Sequence, residues 1–400
     1  MWKTVKLIQV CKVASGNSIP AKKKEQFFTG VEGMPYIATK DVGFDDAINY
    51  KNGIRIPEEY QSNFKISPAG ATLICAEGGS AGRKIAFSCE DSCYVNKLFS
   101  LKPSENIIPK FIYYYALSSE FQSQFKAALH GLIGGVSMSK IREFKISIPP
   151  FAEQKRIVEK LDRAFSAIKT ASTKTAFKLS ECEALTETVI QNTIKQRFYD
   201  DNPVLLDSLC DKNRGITYGV VKLGAEVPNG VPCLRTSNVK PRNIKIEGIK
   251  RISTDISCEY KRTILKGGEV LVNVRGTLGG VAVVPDEMAG WNISREVALV
   301  PLNQKLVNPD YVSYCISSVE SQRWLGKNTH GAAYQGINLI DLRNLPINLP
   351  PKEQQEKIVN EIRKLESEIK QINSSLRKNL ENLSALKSAI LAQELQSEAV

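Results

Sequence analysis

Ile146 to Val158 reads ISIPPFAEQKRIV, and Ile347 to Val359 reads INLPPKEQQEKIV. In each string a short apolar run meets a double proline, and a stretch free of glycine and proline begins just behind it. Proline ends the element before it and is tolerated in the first turn of a helix after it, so each string marks a junction between a folded part and a helix. At a constant offset of 201 (149 to 350), Pro149, Pro150, Gln154, Ile157, Val158, Ser166, Ile168, Lys169, Leu179, Ala184 and Leu185 recur as Pro350, Pro351, Gln355, Ile358, Val359, Ser367, Ile369, Lys370, Leu380, Ala385 and Leu386. The second half of the chain is a diverged copy of the first.

The correspondence extends upstream with small insertions. Pro109 and Phe111 face Pro309 and Tyr311, and Gly79, Ser80 and Gly82 face Gly276, Thr277 and Gly279. The 2 histidines of the chain, His130 and His330, fall at equivalent places, each followed by glycine. Four segments result: two globular parts over 1–150 and 196–349, and two helical parts over 151–195 and 350–400. The globular parts have the Gly, Pro and short β-branched runs of mixed α/β domains. The fold class expected is α+β, a pseudo-twofold internal duplication in which two tandem mixed domains alternate with two long helices.

In the second helical part Ile358, Ile362, Leu365, Ile369, Ile372 and Leu376 alternate four-three spacing, and Leu380, Leu383, Leu386 and Ile390 resume after a slip. This is a coiled-coil seam with a stutter. The first helix sets Ile157, Leu161, Ala164, Ile168, Ala171, Thr175, Leu179, Cys182, Leu185 and Val189 at the same places, a narrower seam that predicts looser pairing. A helix of this length runs on the order of 65 Å at 1.5 Å per residue, longer than a small domain needs. Duplication then predicts an antiparallel pair acting as a spacer; the alternative is that each helix folds back onto its own domain.

Within each globular part an apolar strand leads through a Gly-x-x-Gly turn to a second strand: Ala71 to Glu77, Gly79 to Gly82 and Ile85 to Phe87, then Glu269 to Arg275, Gly276 to Gly279 and Val281 to Val284. Arg83 and Lys84 follow the first turn and Arg275 precedes the second, placing cations at the tips where they can meet phosphates or guanine edges; the competing reading is a hairpin with ordinary surface charge. A helix opening at Pro109 or Pro309 follows, whose Phe111, Tyr115, Phe121 and Phe125 suit a core better than a base-stacking platform. It is expected to end near His130-Gly131 and His330-Gly331, where glycine suits a left-handed cap. In the polar stretches beyond, Ser137 to Arg142 and Tyr334 to Arg343, the amides of Gln335 and Asn338 suit adenine edges or simply a loop.

The 54 Lys and Arg outnumber the 42 Asp and Glu, for a net charge of +12. Residues 1–150 hold 19 basic and 13 acidic residues and 196–349 hold 19 and 15, so ten of the twelve excess charges lie in the globular parts. That balance favours a polyanionic partner. No stretch approaches the roughly 18 uncharged apolar residues of a membrane span. Lys3, Lys6 and Lys12 interrupt the N-terminal apolar residues, so no signal-peptide core is present; the expected location is the cytoplasm, with no membrane partner. The 9 cysteines follow neither a disulfide framework nor a zinc spacing and read as reduced, mostly buried thiols.

Catalytic motifs are missing. Gly78 to Lys84 has Ile85 where a nucleotide-phosphate loop needs a hydroxyl residue. Ile148 before Pro149-Pro150-Phe151 stands where an amino-methyltransferase needs Asn or Asp. Pro285-Asp286 and Glu153-Gln154-Lys155 lack the companion carboxylates of a nuclease, and the two histidines have no paired nucleophile. The expectation is a non-catalytic chain with no metal and no cofactor.

With its two proline-glutamine-helix junctions, its Gly-x-x-Gly hairpins and its period of about 200 residues, the chain resembles the DNA specificity subunits of type I restriction-modification systems along essentially its whole length. The resemblance implies two target-recognition domains, each reading one half of a split, asymmetric site in double-stranded DNA, with the paired helices as ruler. It also implies two methyltransferase subunits on the outer faces of the helices and endonuclease/translocase subunits joining the complex. The candidate DNA contacts are Thr39, Lys40, Ser80, Arg83, Lys84 and Lys97 in the first domain and Arg235, Asn238, Arg275, Thr277 and Arg295 in the second. Because the first domain opens almost at Trp2, the N-terminal spacer segment of some relatives is expected to be absent and the C-terminal helix to supply its packing. Two other classes compete: a stand-alone DNA-modifying enzyme with an unrecognised site, and a basic coiled-coil scaffold for RNA or protein.

Overall fold

The computed structural model describes residues 2–131, 134–196, 203–327, 329–330 and 336–396. It divides into two compact units, residues 1–176 with 377–400, and 177–376. Gly331, Tyr334 and Gln335 lie outside the described residues.

In the first unit, Cys11–Ser15, Leu98–Pro103, Thr72–Cys75 and Ile85–Phe87 form an antiparallel sheet in that order. A second sheet orders Arg55–Ile56, Met34–Ile37, Ser92–Tyr94 and Ile66–Ser67, its middle pair parallel. The second unit repeats both. Thr217–Tyr218, Val297–Val300, Val270–Asn273 and Val281–Val283 form one sheet, and Lys250–Ile252, Val231–Leu234 and Asn292–Ile293 the other, with its last pair parallel. The strand Thr72–Cys75 is buried on both faces, which explains an unbroken apolar run where a one-sided strand would alternate. Ile74 faces a core built with the helices, whereas Leu73 and Cys75 face the core shared with the second sheet. Val270 and Val272 divide from Leu271 in the same way.

Two glycines let the chain pass against a neighbouring strand. A Cβ on Gly16 would lie 1.9 Å from the Tyr94 carbonyl oxygen, and one on Gly219 would lie 1.9 Å from that of Ile293. The next residue donates to the same oxygen in each case, Asn17 N–H at 2.9 Å and Val220 N–H at 2.7 Å.

The helix expected behind Pro109 is two helices, Pro109–Leu117 and Ser119–Ala127, broken where the Ser118 hydroxyl accepts from the Phe121 N–H. Pro309–Ser317 and Val319–Lys327 break at Ser318. Phe111, Tyr115, Phe121 and Phe125 are all buried. The expected cap is corrected: the first helix pair stops at Ala127, and Gly131, at φ +80, serves the following turn.

The long helices run over Phe151–Gln196 and Lys352–Leu395. Each opens within the core of its own copy, through Ile157, Val158 and Leu161 in one unit and Ile358, Val359 and Ile362 in the other. In the first unit Arg156 and Lys160 flank Glu394 at 3.2 and 2.5 Å, and Leu391 joins the core of Ile157 and Leu161. In the second, Ile190 and Ile194 join the core of Ile358 and Ile362. Each unit therefore sets the opening turns of one long helix with the closing turns of the other, so the two run antiparallel.

Of the seam expected from spacing, Ile157, Leu161, Ile168, Ile358 and Ile362 are buried, while Leu179, Val189, Leu365, Ile369, Leu376, Leu383 and Ile390 are half-buried. Leu185 and Ile372 are corrected, being 55% and 49% exposed, and Leu386 is exposed as well. A helix of 3.6 residues per turn drifts about 20° per heptad from a strict seven-residue repeat. The line of least exposure accordingly passes through buried Ile190 and Leu391 and takes in half-buried Thr186, Asn373 and Lys387.

The junction glutamines clamp each helix start. Gln154 Oε1 accepts from Ile108 N–H at 2.9 Å while its Nε2 donates to Pro149 O at 3.0 Å; Gln355 does the same with Asn308 N–H and Pro350 O, both at 2.8 Å. Beside each clamp the copies make one ion pair with the charges exchanged, Lys110 with Asp162 at 2.8 Å and Asp310 with Arg363 at 2.7 Å.

Candidate nucleic-acid interface

Glycine geometry at the hairpin tips decides where the cations stand. In the first unit Gly78 and Gly82 take φ of +82 and +67, the Arg83 N–H donates to Ser80 O at 3.0 Å, and Arg83 is exposed. Its guanidinium carbon lies 5.2 Å from the centre of the Phe44 ring, and Lys84 Nζ lies 5.1 Å from the same ring while donating to Thr39 O at 3.1 Å. Two cations thus share one aromatic ring. Phe44 is 62% exposed, and Lys40, next to Thr39, is exposed too. Thr39, Lys40, Ser80, Arg83 and Lys84 therefore come together. Lys97 is exposed but held by Glu77 at 2.7 Å, and that hydrogen bond raises its pKa above the ordinary lysine value.

Phe44 is absent from the residues singled out by sequence. Its signal is local: an aromatic between Gly43 and Asp45-Asp46 sits in turn composition, with no core periodicity to carry it inward.

In the second unit Arg275 and Thr277 are exposed at the tip, and the Arg275 guanidinium lies 5.4 Å from the Tyr218 ring. Arg295 is exposed, its N–H donating to Val220 O at 2.9 Å beside the Val220–Ser294 bridge. Arg235 is half-buried and donates to Gly248 O at 2.9 Å. Asn238 is corrected. It is 1% exposed, accepts from Arg235 N–H at 3.0 Å and donates to Lys245 O at 2.9 Å, so its amide holds the loop and offers nothing to a base. Asn338, the polar candidate beyond the second hairpin, precedes the helix Leu339–Arg343.

The tips are not chemical copies. Glu77 bridges to Gly135 where Arg275 bridges to Gly336, and the Arg83-Lys84 step after the first turn corresponds to Gly279-Gly280 in the second, Lys84 O and Gly280 O accepting from Cys75 N–H and Asn273 N–H. One tip carries its cations after the turn, the other before it.

Little else in the described residues suggests chemistry. Burial pushes the Cys11, Cys210, Cys233 and Cys315 thiols up to about 12, which keeps them protonated at neutral pH. Among the described residues no group of His, Cys, Asp and Glu could hold a metal ion, and no helix is long and apolar enough to cross a membrane.

The family model described as type I restriction modification DNA specificity domain matches residues 1–176 and again 211–382. The chain belongs to this family. Among curated relatives of this specificity-family chain, the type I restriction enzyme EcoBI specificity subunit of Escherichia coli is 24% identical, with 99% of this chain and 86% of that protein covered. The EcoKI specificity subunit of Escherichia coli strain K12 is also 24% identical, covering 84% and 75%. Of solved structures, a chain from work on complex assembly and conformational transition of the type I R-M system aligns with a TM-score of 0.75 at 18% identity, over 99% of this chain and 98% of that one. The HsdS subunit from Thermoanaerobacter tengcongensis aligns at 0.57 and 19%, over 99% and 97%. The two family matches fall one on each copy of the duplication, so each unit carries its own DNA specificity domain.

Proposed function

We propose that this chain is the non-catalytic DNA reader of a cytoplasmic type I restriction-modification complex. Residues 1–150 and 196–349 are its recognition domains, each taking one half of a split, asymmetric site in double-stranded DNA. The helical parts, 151–195 and 350–400, set the gap between the half-sites and carry two methyltransferase subunits, to which endonuclease/translocase subunits join. The observation that carries this reading is the DNA specificity domain match on both copies. The unlike hairpin tips support unlike half-sites, since a few side chains specify bases while Lys and Arg on phosphates set position. The proposed contacts are Thr39, Lys40, Ser80, Arg83, Lys84 and Lys97 in one domain and Arg235, Arg275, Thr277 and Arg295 in the other, with Phe44 as the platform beneath Arg83 and Lys84.

Titration of the assembled complex on its target at several salt concentrations tests these contacts. Arg83→Ala and Arg275→Ala should each weaken binding, and a phosphate contact should also lower the salt slope by about one unit. A base-reading contact should instead leave the slope and relax selectivity in one half-site only, by about 1–3 kcal/mol. Wild-type affinity, slope and selectivity in both variants would remove the two arginines from the interface.

A further inference from the structure

A second hairpin in each globular part reaches the long helices, and both carry an unusual residue at the tip. Between Val42 and Ile48 the tip residue Asp46 takes φ +67; between Lys240 and Asn243 the tip residue Arg242 takes φ +56. Non-glycine side chains avoid this conformation unless surrounding contacts hold them there. Backbone bonds hold each turn, Gly43 N–H to Ala47 O at 2.9 Å and Arg242 N–H to Val281 O at 2.7 Å, and the tip side chains reach the helices as ion pairs. Asp46 meets Lys387 of the second long helix at 2.6 Å, and Lys387 Nζ also lies 4.8 Å from the Phe165 ring of the first. Arg242 meets Glu187 of the first long helix at 3.0 Å and Glu366 of the second at 3.1 Å, and Glu366 accepts from the Tyr314 hydroxyl at 3.1 Å.

The partners occupy matching stretches of the duplication: Phe165 and Glu366 are equivalent at the offset of 201, while Lys387 answers to Thr186, the neighbour of Glu187. The same berth is built twice with its charges exchanged. In the second berth Asp46 would meet the carboxylates of Glu187 and Glu366, and in the first berth Arg242 would meet the ammonium of Lys387. Like charges at such range are costly in a half-buried place, and mismatched charge is an established way for a fold to reject the wrong partner.

We infer that the two tips are docking latches whose exchanged charges fix which recognition domain seats on which stretch of the long helices. Asp46, Lys387, Arg242, Glu187 and Glu366 are positioning residues. On the reading proposed above, on which this last step rests, they hold each DNA-reading tip at a set angle to the spacer and so sharpen the choice of gap.

Hydrogen exchange on the full chain, with binding of the assembled complex to targets of correct and one-base-pair-longer gap, tests the latch. Asp46→Asn keeps a side chain that suits positive φ and removes the charge, so loss of folding is not at issue. It should speed exchange of the Gly43 and Asn49 amides, whose acceptors at 2.9 and 2.8 Å lie in the first hairpin, roughly tenfold, as for loss of one charge-assisted hydrogen bond, and leave residues 240–244 unchanged. Asp46→Arg should loosen the first hairpin further and blunt gap discrimination. Asp46→Arg with Lys387→Glu, which transplants the charges of the second berth, should restore both. Wild-type exchange in Asp46→Arg, or no recovery in the double variant, overturns the latch. If the exchange pattern follows but no form of the complex prefers a split target, the latch stands and the bipartite reading fails.

Discussion

Replacing Gly219 by alanine is expected to cost the second unit about 3–5 kcal/mol and to lower its unfolding temperature by roughly 10 °C. The new methyl would stand 1.9 Å from the Ile293 carbonyl oxygen, a backbone atom with no side-chain torsion to relieve it. The strands must part, and the bond from Val220 N–H to that oxygen goes with them. That bond precedes the Arg295 N–H contact on Val220 O, so one proposed DNA contact is disturbed as well. Gly16→Ala should do the same to the first unit through Tyr94. Calorimetry of the two variants checks this. Each should lower the transition of its own unit, and a melting curve indistinguishable from wild type would show that the crossing has room for a side chain.

Gln355→Leu is expected to destabilise the chain by about 2–4 kcal/mol, because it strands two polar groups at the start of a long helix. Asn308 N–H loses its acceptor and Pro350 C=O its donor, and Gln355 itself is buried. Leucine is near in size, so packing is largely kept and the loss reports on hydrogen bonding. Gln355→Glu should cost less, keeping an acceptor for Asn308 N–H while setting a carboxylate against the proline carbonyl. Denaturant unfolding of both variants, beside the matching changes at Gln154, measures the clamp. Equal stability of the leucine variant and wild type would mean that the glutamine is not what joins domain to helix.

The glutamines show how far the sequence could be read. Their identity at one offset exposed the duplication, yet their role was hidden because the partners Ile108 and Asn308 lie 46 and 47 residues away in the chain. The two strands around each Gly-x-x-Gly turn were legible in their apolar runs, whereas the order of the sheets rests on pairings distant in the chain. The seam was legible where both helices enter a core and misplaced at Leu185 and Ile372, where spacing alone does not follow the drift of a straight helix. Asn238 resembled a base reader because an amide looks alike in a loop and at an interface; only burial separates the two. Phe44 and the exchanged ion pairs were invisible to periodicity. The first has no partner in sequence, and the second appear only when two berths are laid over each other in space.

The measurement that bears most directly on the bipartite reader is methylation mapping. The chain is expressed with a type I methyltransferase subunit that assembles with it in a host free of DNA methylation, and modified bases are located genome-wide by long-read sequencing. The reading predicts one asymmetric motif, two unlike half-sites separated by a fixed gap, modified only when both proteins are present. Modification that persists unchanged without this chain, or a continuous motif with no gap, would contradict it.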